Sequence, residues 1–223
     1  FQLYEKEVLG LFGGSGSGKS VILRSIIGLE KPDAGQMLFE GHDIVKLDED
    51  QLIEIRKRIG YVFQNGALFD SLSVEDNLSY PLREHTKLSD EEILEKVNKM
   101  LALVDLKGQN HLLPAELSGG MQKRAGLARA IILEPSIILF DEPTAGLDPG
   151  NTHRLLQNIL RLKQTGITGI FVTHDIPAAL EISDRIAILY RGQIPVLDTV
   201  ENIKKSSDPL VRSFIGGVLG SGI

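Results

Sequence analysis

GGSGSGKS, residues 13–20, decides how this chain folds, because it fits the pattern of a loop that wraps around phosphate groups. Gly13 opens the pattern, and Gly18, Lys19 and Ser20 close it after four intervening residues. Glycines let the backbone curve so that successive N–H groups point at an anion. Lys19 can then reach the β- and γ-phosphates, and the Ser20 hydroxyl is placed to ligate Mg²⁺. The predicted ligand is a nucleotide polyphosphate.

The residues beside this loop predict a strand before it and a helix after it. EVLGLF (7–12) has the pattern of a buried strand, and VILRSIIGL (21–29) that of a helix. The positive N-terminal end of such a helix would favour the same anion. A Gly/Ser-rich linker is the alternative interpretation, but the strand–loop–helix setting argues against it. We expect Val21, Ile22, Ile26 and Leu29 to share one face of the helix, and the nucleotide to be contacted by Gly13, Gly14, Ser15, Gly16, Ser17, Gly18, Lys19, Ser20 and Val21.

Composition limits the possible classes of protein. With 223 residues, 42% of them apolar, and a mean hydropathy of +0.02, the chain can form one large domain. No apolar run is long enough to span a bilayer, so we expect any membrane role to come through a partner. The net charge of −6 argues against nucleic acid as a partner, and the lack of cysteine excludes disulfides and thiolate metal sites. Because the chain opens on Phe1 just before a strand, we expect N-terminal sequence to precede it.

Strand and helix patterns alternate along the chain, which predicts an α/β fold with a mainly parallel sheet and ligands at the carboxyl ends of its strands. Ser89 with Glu92 forms a capping box, and Asp175 and Asp208 are expected helix caps. The tail GGVLGSGI (216–223) is expected to be flexible. Strand patterns cover 36–44, 58–64, 136–143, 167–174 and a hairpin at 185–198, and helix patterns cover 47–58, 89–106, 118–133, 150–164, a stretch from 175, and 208–216.

Asp141 and Glu142 follow four apolar residues and predict the second half of a nucleotide site. A buried strand would deliver Asp141 next to Mg²⁺, normally through water. Glu142 would then be placed to polarise the water that attacks the γ-phosphate, provided that its carboxylate is ionised. A solvated acidic strand end is the alternative, and the phosphate loop makes it less favoured.

LSGGMQ at 117–122 completes a set of motifs with the phosphate loop, Gln64, Asp141–Glu142, GLD at 146–148 and VTHD at 172–175. With this set the chain resembles the ATP-binding subunit of an ABC transporter from about residue 3 to its end. The resemblance implies one nucleotide-binding domain over 1–223, with a RecA-like P-loop NTPase core and a partial antiparallel β subdomain. It also implies an inserted helical subdomain at about 66–132 and a helical tail at about 200–223.

The same resemblance implies which residues bind ATP, ligate Mg²⁺ and catalyse hydrolysis. Two chains would sandwich two ATP molecules head to tail, with Ser118 capping a helix that faces the γ-phosphate held by the other chain. An aromatic residue that stacks on adenine has no match, because Phe1 and Tyr4 lie too close to the loop, and we expect it before residue 1. The implied catalytic residues are Glu142, His174, Gln64 and Lys19, the Mg²⁺ ligands are Ser20, Gln64 and Asp141, and Ser118, Gly119, Gly120, Gln122 and Asp148 would join the phosphate loop in binding ATP.

Stretches outside the ATP motifs resemble the Mla/Mce-type (MlaF-like) phospholipid transport ATPases. They are residues 63–85, 113–131, 174–185 and 208–217. Val21 departs from the threonine that is commoner in the family. The resemblance implies phospholipid traffic between inner and outer membranes, with an integral permease and an Mce-domain protein as partners. The chain would be a peripheral protein on the cytoplasmic face of the inner membrane.

Other functions remain open at this point. The chain could power an ABC transporter for another solute, such as an amino acid, and residues 63–85 argue against that only by resemblance. A soluble ABC ATPase acting on DNA or ribosomes would carry coiled-coil insertions or tandem domains, which the sequence lacks. A scaffold that binds ATP without hydrolysing it is disfavoured by the presence of Lys19, Asp141, Glu142 and His174.

Overall fold

A central sheet organises the protein in the computed structural model, which describes the backbone of residues 1–219 and the side chains of residues 1–216. Its strands are β1 Val8–Gly13, β4 Ile59–Val62, β5 Ile137–Asp141, β6 Thr168–Val172, β7 Arg185–Tyr190 and β8 Gln193–Thr199, and a separate small antiparallel hairpin pairs β2 Leu38–Phe39 with β3 His42–Asp43. Within residues 1–219 the strand order is β4-β5-β6-β1-β7-β8, and every neighbouring pair is parallel except β7 with β8. The predicted mainly parallel sheet is confirmed.

Helices cover both faces of this sheet. Parallel strands are typically buried on both faces in this way. The predicted capping box at Ser89 is present, and Ser118, Asp175 and Asp208 also cap the helices that follow them. The helices are α1 Lys19–Ile26, α2 Glu49–Arg56, α3 Val74–His85, α4 Asp90–Leu103, α5 Gly119–Ile131, α6 Pro149–Gln164, α7 Ile176–Ile182, α8 Val200–Lys205 and α9 Pro209–Leu219.

Helix α3, like the short helix α8, was missed by the sequence patterns. Ser73 caps it by accepting a hydrogen bond from the backbone N–H of Asp76 at 3.0 Å. Val74, Leu78 and Leu82 recur every four residues and are all buried, so the helical period was present in the sequence. Pro81 lies inside the helix and obscured that pattern.

The predicted apolar face of α1 was wrong for two of its four residues. Ile22 and Ile26 are partly buried and pack against the core, but Val21 and Leu29 are 43% and 59% exposed, and Leu23 and Ile27 are buried instead. The phosphate loop delivers α1 with Lys19 turned inward, and residues four apart share a helix face, so Leu23 and Ile27 follow Lys19 toward the sheet. The helix is therefore rotated so that Lys19, and not the richest apolar stripe, is buried.

Helices α3, α4 and α5 pack on one another within the predicted helical subdomain at 66–132, whose limits stay a prediction. Helix α5 also lies directly on β4, because a Cβ at Gly60 would come within 2.5 Å of the Ala130 carbonyl oxygen. A Cβ at Gly126 would come within 2.6 Å of the Gly66 oxygen. These close approaches fix the position of the helix that Ser118 begins.

The C-terminal part of the chain is helical through α8 and α9. Helix α9 extends beyond the predicted 208–216 to Leu219, so residues 216–219 of the expected flexible tail are helical. The rest of that tail, 220–223, lies outside the described residues. In the part of the chain that the structure covers, no helix combines the length and the apolar character needed to cross a bilayer.

The burial of α4 predicts a contrast between two of its leucines. Leu101→Ala is expected to lower the free energy of unfolding by about 2–5 kcal/mol, because it empties a fully buried position. Leu94 on the same helix is 42% exposed, and Leu94→Ala should change that free energy by less than about 0.5 kcal/mol. Urea denaturation followed by circular dichroism measures both. Equal losses would contradict the inward placement of Leu101.

Candidate active site

Parallel pairing brings the predicted site residues to one edge of the sheet. Val172 at the end of β6 lies beside Leu11 of β1 on one side and beside Asp141 of β5 on the other. The phosphate loop follows β1, Glu142 follows β5, and His174 follows β6, so all leave the sheet at the same edge. Gln64 follows β4 at that edge too, and its side chain is exposed.

The phosphate loop holds its lysine in place with carbonyl groups. Lys19 is 6% exposed, and its Nζ donates to the oxygens of Gly13 at 2.9 Å and Gly14 at 3.0 Å. These backbone oxygens carry no net charge, so they do not neutralise the charge of the Lys19 side chain. A Cβ built at Gly14, Gly16 or Gly18 would meet nothing within 4 Å, so these three positions of the loop border open space. An open cradle with a fixed cation suits a polyphosphate.

Ser20 and Asp141 meet across the end of β6. The Ser20 hydroxyl donates to Oδ1 of Asp141 at 2.8 Å. Hydroxyl and carboxylate oxygens are the ligands that Mg²⁺ prefers, so this pair fits the metal that accompanies a nucleotide. Among the described residues, this site included, no group of three or more acidic, histidine or cysteine side chains is placed to hold a metal.

Tyr61 joins this pair, and sequence reasoning missed it. Its hydroxyl donates to Oδ2 of Asp141 at 2.8 Å. In the β4–β5 register Tyr61 lies opposite Leu139, and Asp141 is two residues further along on the same face. Because side chains alternate between the two faces of a strand, Tyr61 could have been placed beside Asp141 once the pairing of β4 with β5 was known.

Glu142 and His174 are also brought together. His174 Nδ1 lies 2.9 Å from Oε2 of Glu142, whose side chain is 22% exposed against 66% for His174. Glu142 has a φ of 48°, in the left-handed region, and its N–H donates to the Val172 oxygen at 2.9 Å. That bond holds the backbone of Glu142 to the end of β6, where the side chain meets His174.

Lys123 is a second buried lysine near this segment, and the sequence analysis did not single it out. Its Nζ donates to the Ala145 oxygen, three residues beyond Glu142. The pKa of Lys123 is lowered from its ordinary value, because the effect of burial outweighs the opposite effect of the negative charge of Glu142. The contact ties α5 to the loop that carries Glu142.

The residues of LSGGMQ are held by their own helix. Ser118 Oγ accepts from the N–H of Met121 at 3.3 Å, as a cap should. The Gln122 amide donates to the Pro114 oxygen at 2.8 Å, so its nitrogen is bound within its own segment. Ser118 and Gly119 are exposed at the start of α5. A contact of Ser118, Gly119, Gly120 or Gln122 with a nucleotide stays a prediction.

Asp148 caps α6 and is joined to the same region by Asn151. It accepts hydrogen bonds from the N–H of Asn151 at 3.0 Å and from the Asn151 side-chain amide at 2.6 Å. The backbone bond from Asn151, and then its side-chain bond, lower the pKa of Asp148. A Cβ at Gly120 would collide with the Asn151 side chain, so that side chain packs directly on the start of α5.

Comparison with known proteins agrees with this geometry. The family profile described as "ABC transporter" matches residues 1–145. The chain belongs to this family. It is 46% identical over 212 residues to the probable ribonucleotide transport ATP-binding protein mkl of Mycobacterium tuberculosis H37Rv, covering 95% of this chain and 59% of that one. It is 42% identical over 213 residues to the intermembrane phospholipid transport system ATP-binding protein MlaF of Escherichia coli K12, covering 95% and 79%.

A solved structure of the ABC family has the same fold. It is a dimeric ATP-binding cassette in a post-hydrolysis state bound to ADP and Pi, with a TM-score of 0.82 and 34% identity over 90% of this chain and 88% of that one. The predicted P-loop core is therefore confirmed. This chain spans only 59% of the length of the mycobacterial relative.

Two glycines of the phosphate loop should respond differently to the same substitution. A Cβ at Gly13 would come within 2.7 Å of the backbone oxygen of Leu189, so Gly13→Ala is expected to lower the free energy of unfolding by about 1–3 kcal/mol. Gly14 has open space at that position, and Gly14→Ala should be close to neutral. Chemical denaturation of both variants measures the difference. A Gly13→Ala protein as stable as Gly14→Ala would show that the loop does not pass this close to β7.

Proposed function

We propose that this ABC-family chain is the ATP-hydrolysing subunit of a transporter and drives a partner permease in the membrane. The single observation that carries the proposal is the grouping of Lys19, Ser20–Asp141 and Glu142–His174 at one sheet edge. These groups provide a fixed cation, a pair of oxygen ligands and a carboxylate with an orienting partner. Together they match what ATP hydrolysis requires.

Each group has a role in this reaction. Lys19 binds the β- and γ-phosphates, and Ser20, Asp141 and Gln64 would hold Mg²⁺. The metal, when bound, supplies positive charge that offsets the charge of the phosphates. The Glu142 carboxylate accepts a hydrogen bond from the attacking water, and the ring of His174, already 2.9 Å away, orients that carboxylate and reaches the γ-phosphate.

A second copy of the chain would complete each site. Ser118 and Asp148 are exposed, and each caps a helix whose N-terminal end suits negative charge. Ser118, Gly119 and Gly120 would meet the γ-phosphate held by the other copy, with Gln122 supporting them, and Asp148 would meet its phosphate loop. The dimeric state of the similar cassette bound to ADP and Pi supports this arrangement. ATP would then favour the closed dimer more than ADP does, which shifts the equilibrium.

Phospholipid is the proposed transported substrate, between inner and outer membranes. The likeness to MlaF, whose name states intermembrane phospholipid transport, supports it. The chain would lie peripherally on the cytoplasmic face of the inner membrane, with an integral permease and an Mce-domain protein as partners. A second candidate is ribonucleotide transport, favoured by the name of the mycobacterial relative at 46% identity.

Two substitutions test the ATPase assignment. Glu142→Gln removes the negative charge that activates water, and it should slow ATP hydrolysis by about 10²–10⁴-fold while ATP still binds and traps a dimer. Lys19→Ala should abolish tight ATP binding. Phosphate release measures turnover, and light scattering with ATP measures the dimer.

The exposed Glu181 on α7 offers a matched control, since Glu181→Gln removes the same charge away from the site. Its turnover should equal that of the unaltered chain. Full turnover in Glu142→Gln would refute the role of Glu142 as the base.

The transported substrate is tested by purifying the full-length protein with its partners from detergent-solubilised membranes. Co-purification of a permease, an Mce-domain protein and bound phospholipid is the expected result. A permease that binds ribonucleotides in a direct binding assay, without phospholipid, would favour the second candidate and overturn the lipid assignment.

A further inference from the structure

Tyr61 makes a contact at the metal-binding carboxylate that none of the predicted roles explains. Asp141 accepts a hydrogen bond on each of its oxygens, from Ser20 on Oδ1 and from Tyr61 on Oδ2, both at 2.8 Å. Ser20 belongs to the phosphate loop and Tyr61 to β4, so the carboxylate is held from two sides of the sheet edge. A carboxylate bound at both oxygens cannot rotate freely.

The Tyr61 ring is itself held firmly. Its backbone pairs with Leu139 in the β4–β5 register, and the centroid of its ring lies 4.3 Å from the centroid of the Phe63 ring. A phenol O–H can donate a hydrogen bond and a carboxylate oxygen can only accept one, so Tyr61 is the donor in this contact. The hydroxyl therefore reaches Asp141 from a fixed support.

We propose that Tyr61 is a positioning residue that fixes the carboxylate of Asp141 in the orientation in which it receives Mg²⁺ with ATP. The inference rests on the proposed function and adds to it a residue outside the ABC motifs. Ser20 would turn a lone pair toward the metal while its hydroxyl still donates a hydrogen bond to Oδ1 of Asp141. Tyr61 would then hold Oδ2, so that the metal meets a carboxylate whose orientation is already fixed.

The physical reason is preorganisation. A metal that binds to a freely rotating carboxylate must also immobilise it, and this cost weakens binding. Partners that hydrogen-bond to metal ligands commonly change metal affinity by about 10–100-fold. Ser20 still holds Oδ1 when Tyr61 is altered, so an effect near the lower end of that range is expected.

Tyr61→Phe removes the hydroxyl and keeps the ring. The probe is a fluorescent non-hydrolysable ATP analogue, titrated with Mg²⁺ at fixed concentration. The variant should need about tenfold more Mg²⁺ for half-maximal binding. Its affinity for the analogue in EDTA, where no metal is bound, should match that of the unaltered chain. Tyr61→Leu, which also lacks the hydroxyl, should show the same shift in Mg²⁺ requirement.

Tyr80→Phe is the matched control, because it removes a hydroxyl from a tyrosine that is 48% exposed on α3. This variant should have an unchanged Mg²⁺ requirement. An unchanged or lower Mg²⁺ requirement in Tyr61→Phe would overturn the inference. Equal losses of affinity with Mg²⁺ and in EDTA would also overturn it, because they would indicate a role in the shape of the pocket. An unaltered chain that binds no analogue would refute the proposed function, and this inference with it.

Discussion

The parallel pairing of β1, β4, β5, β6 and β7 is the constraint on which the candidate site depends. It sends the carboxyl ends of these strands to one edge, yet β6 separates β1 from β5, so the phosphate loop and Asp141 are not neighbours in the sheet. The hydrogen bond from Ser20 to Asp141 crosses that gap at 2.8 Å. The loop turns back closely on the end of β1, because a Cβ at Gly13 would come within 2.5 Å of the Ser17 hydroxyl oxygen and within 2.7 Å of the Leu189 backbone oxygen. Gly13 therefore serves both the pairing of β1 with β7 and the tight start of the loop that carries Ser20.

Helix α5 provides the second connection, between the motif at its start and the loop that carries Glu142. Lys123 reaches the Ala145 oxygen, and Asn151 packs on Gly120 while bonding to Asp148. The buried guanidinium of Arg124 donates to the Val104 oxygen at 3.1 Å, which ties the same helix to the end of α4. Under the proposed function, Ser118 and Asp148 approach the partner chain together. Because they share these contacts, they would move as one unit. A shift of α5 would also displace the loop of Glu142 through the bond from Lys123 to Ala145.

Sequence reasoning located the elements whose signals are local. Strands at 7–12 and 136–143, and caps at Ser89, Ser118 and Asp175, depend on neighbouring residues and were found. The rotation of α1 was missed because it is set by the burial of Lys19, which apolar periodicity does not report. Tyr61 and Lys123 were missed for a different reason. Each acts through a partner 80 or 22 residues away, and only the sheet register or the packing of α5 brings them together.

The segment before α3 shows how the site could be linked to a permease. Asn77 is fully buried, and its amide donates to the oxygens of Phe69, Leu72 and Ser73 while its own oxygen accepts from the Phe69 N–H. Arg129 of α5 donates to the Ala67 oxygen and lies over the Phe69 ring at 5.3 Å from its centroid. The exposed ring of Phe69 is thus fixed to the helix that also holds Lys123. Under the proposed function, a permease that contacts Phe69 would be connected through α5 to the loop of Glu142 by these packed and hydrogen-bonded groups.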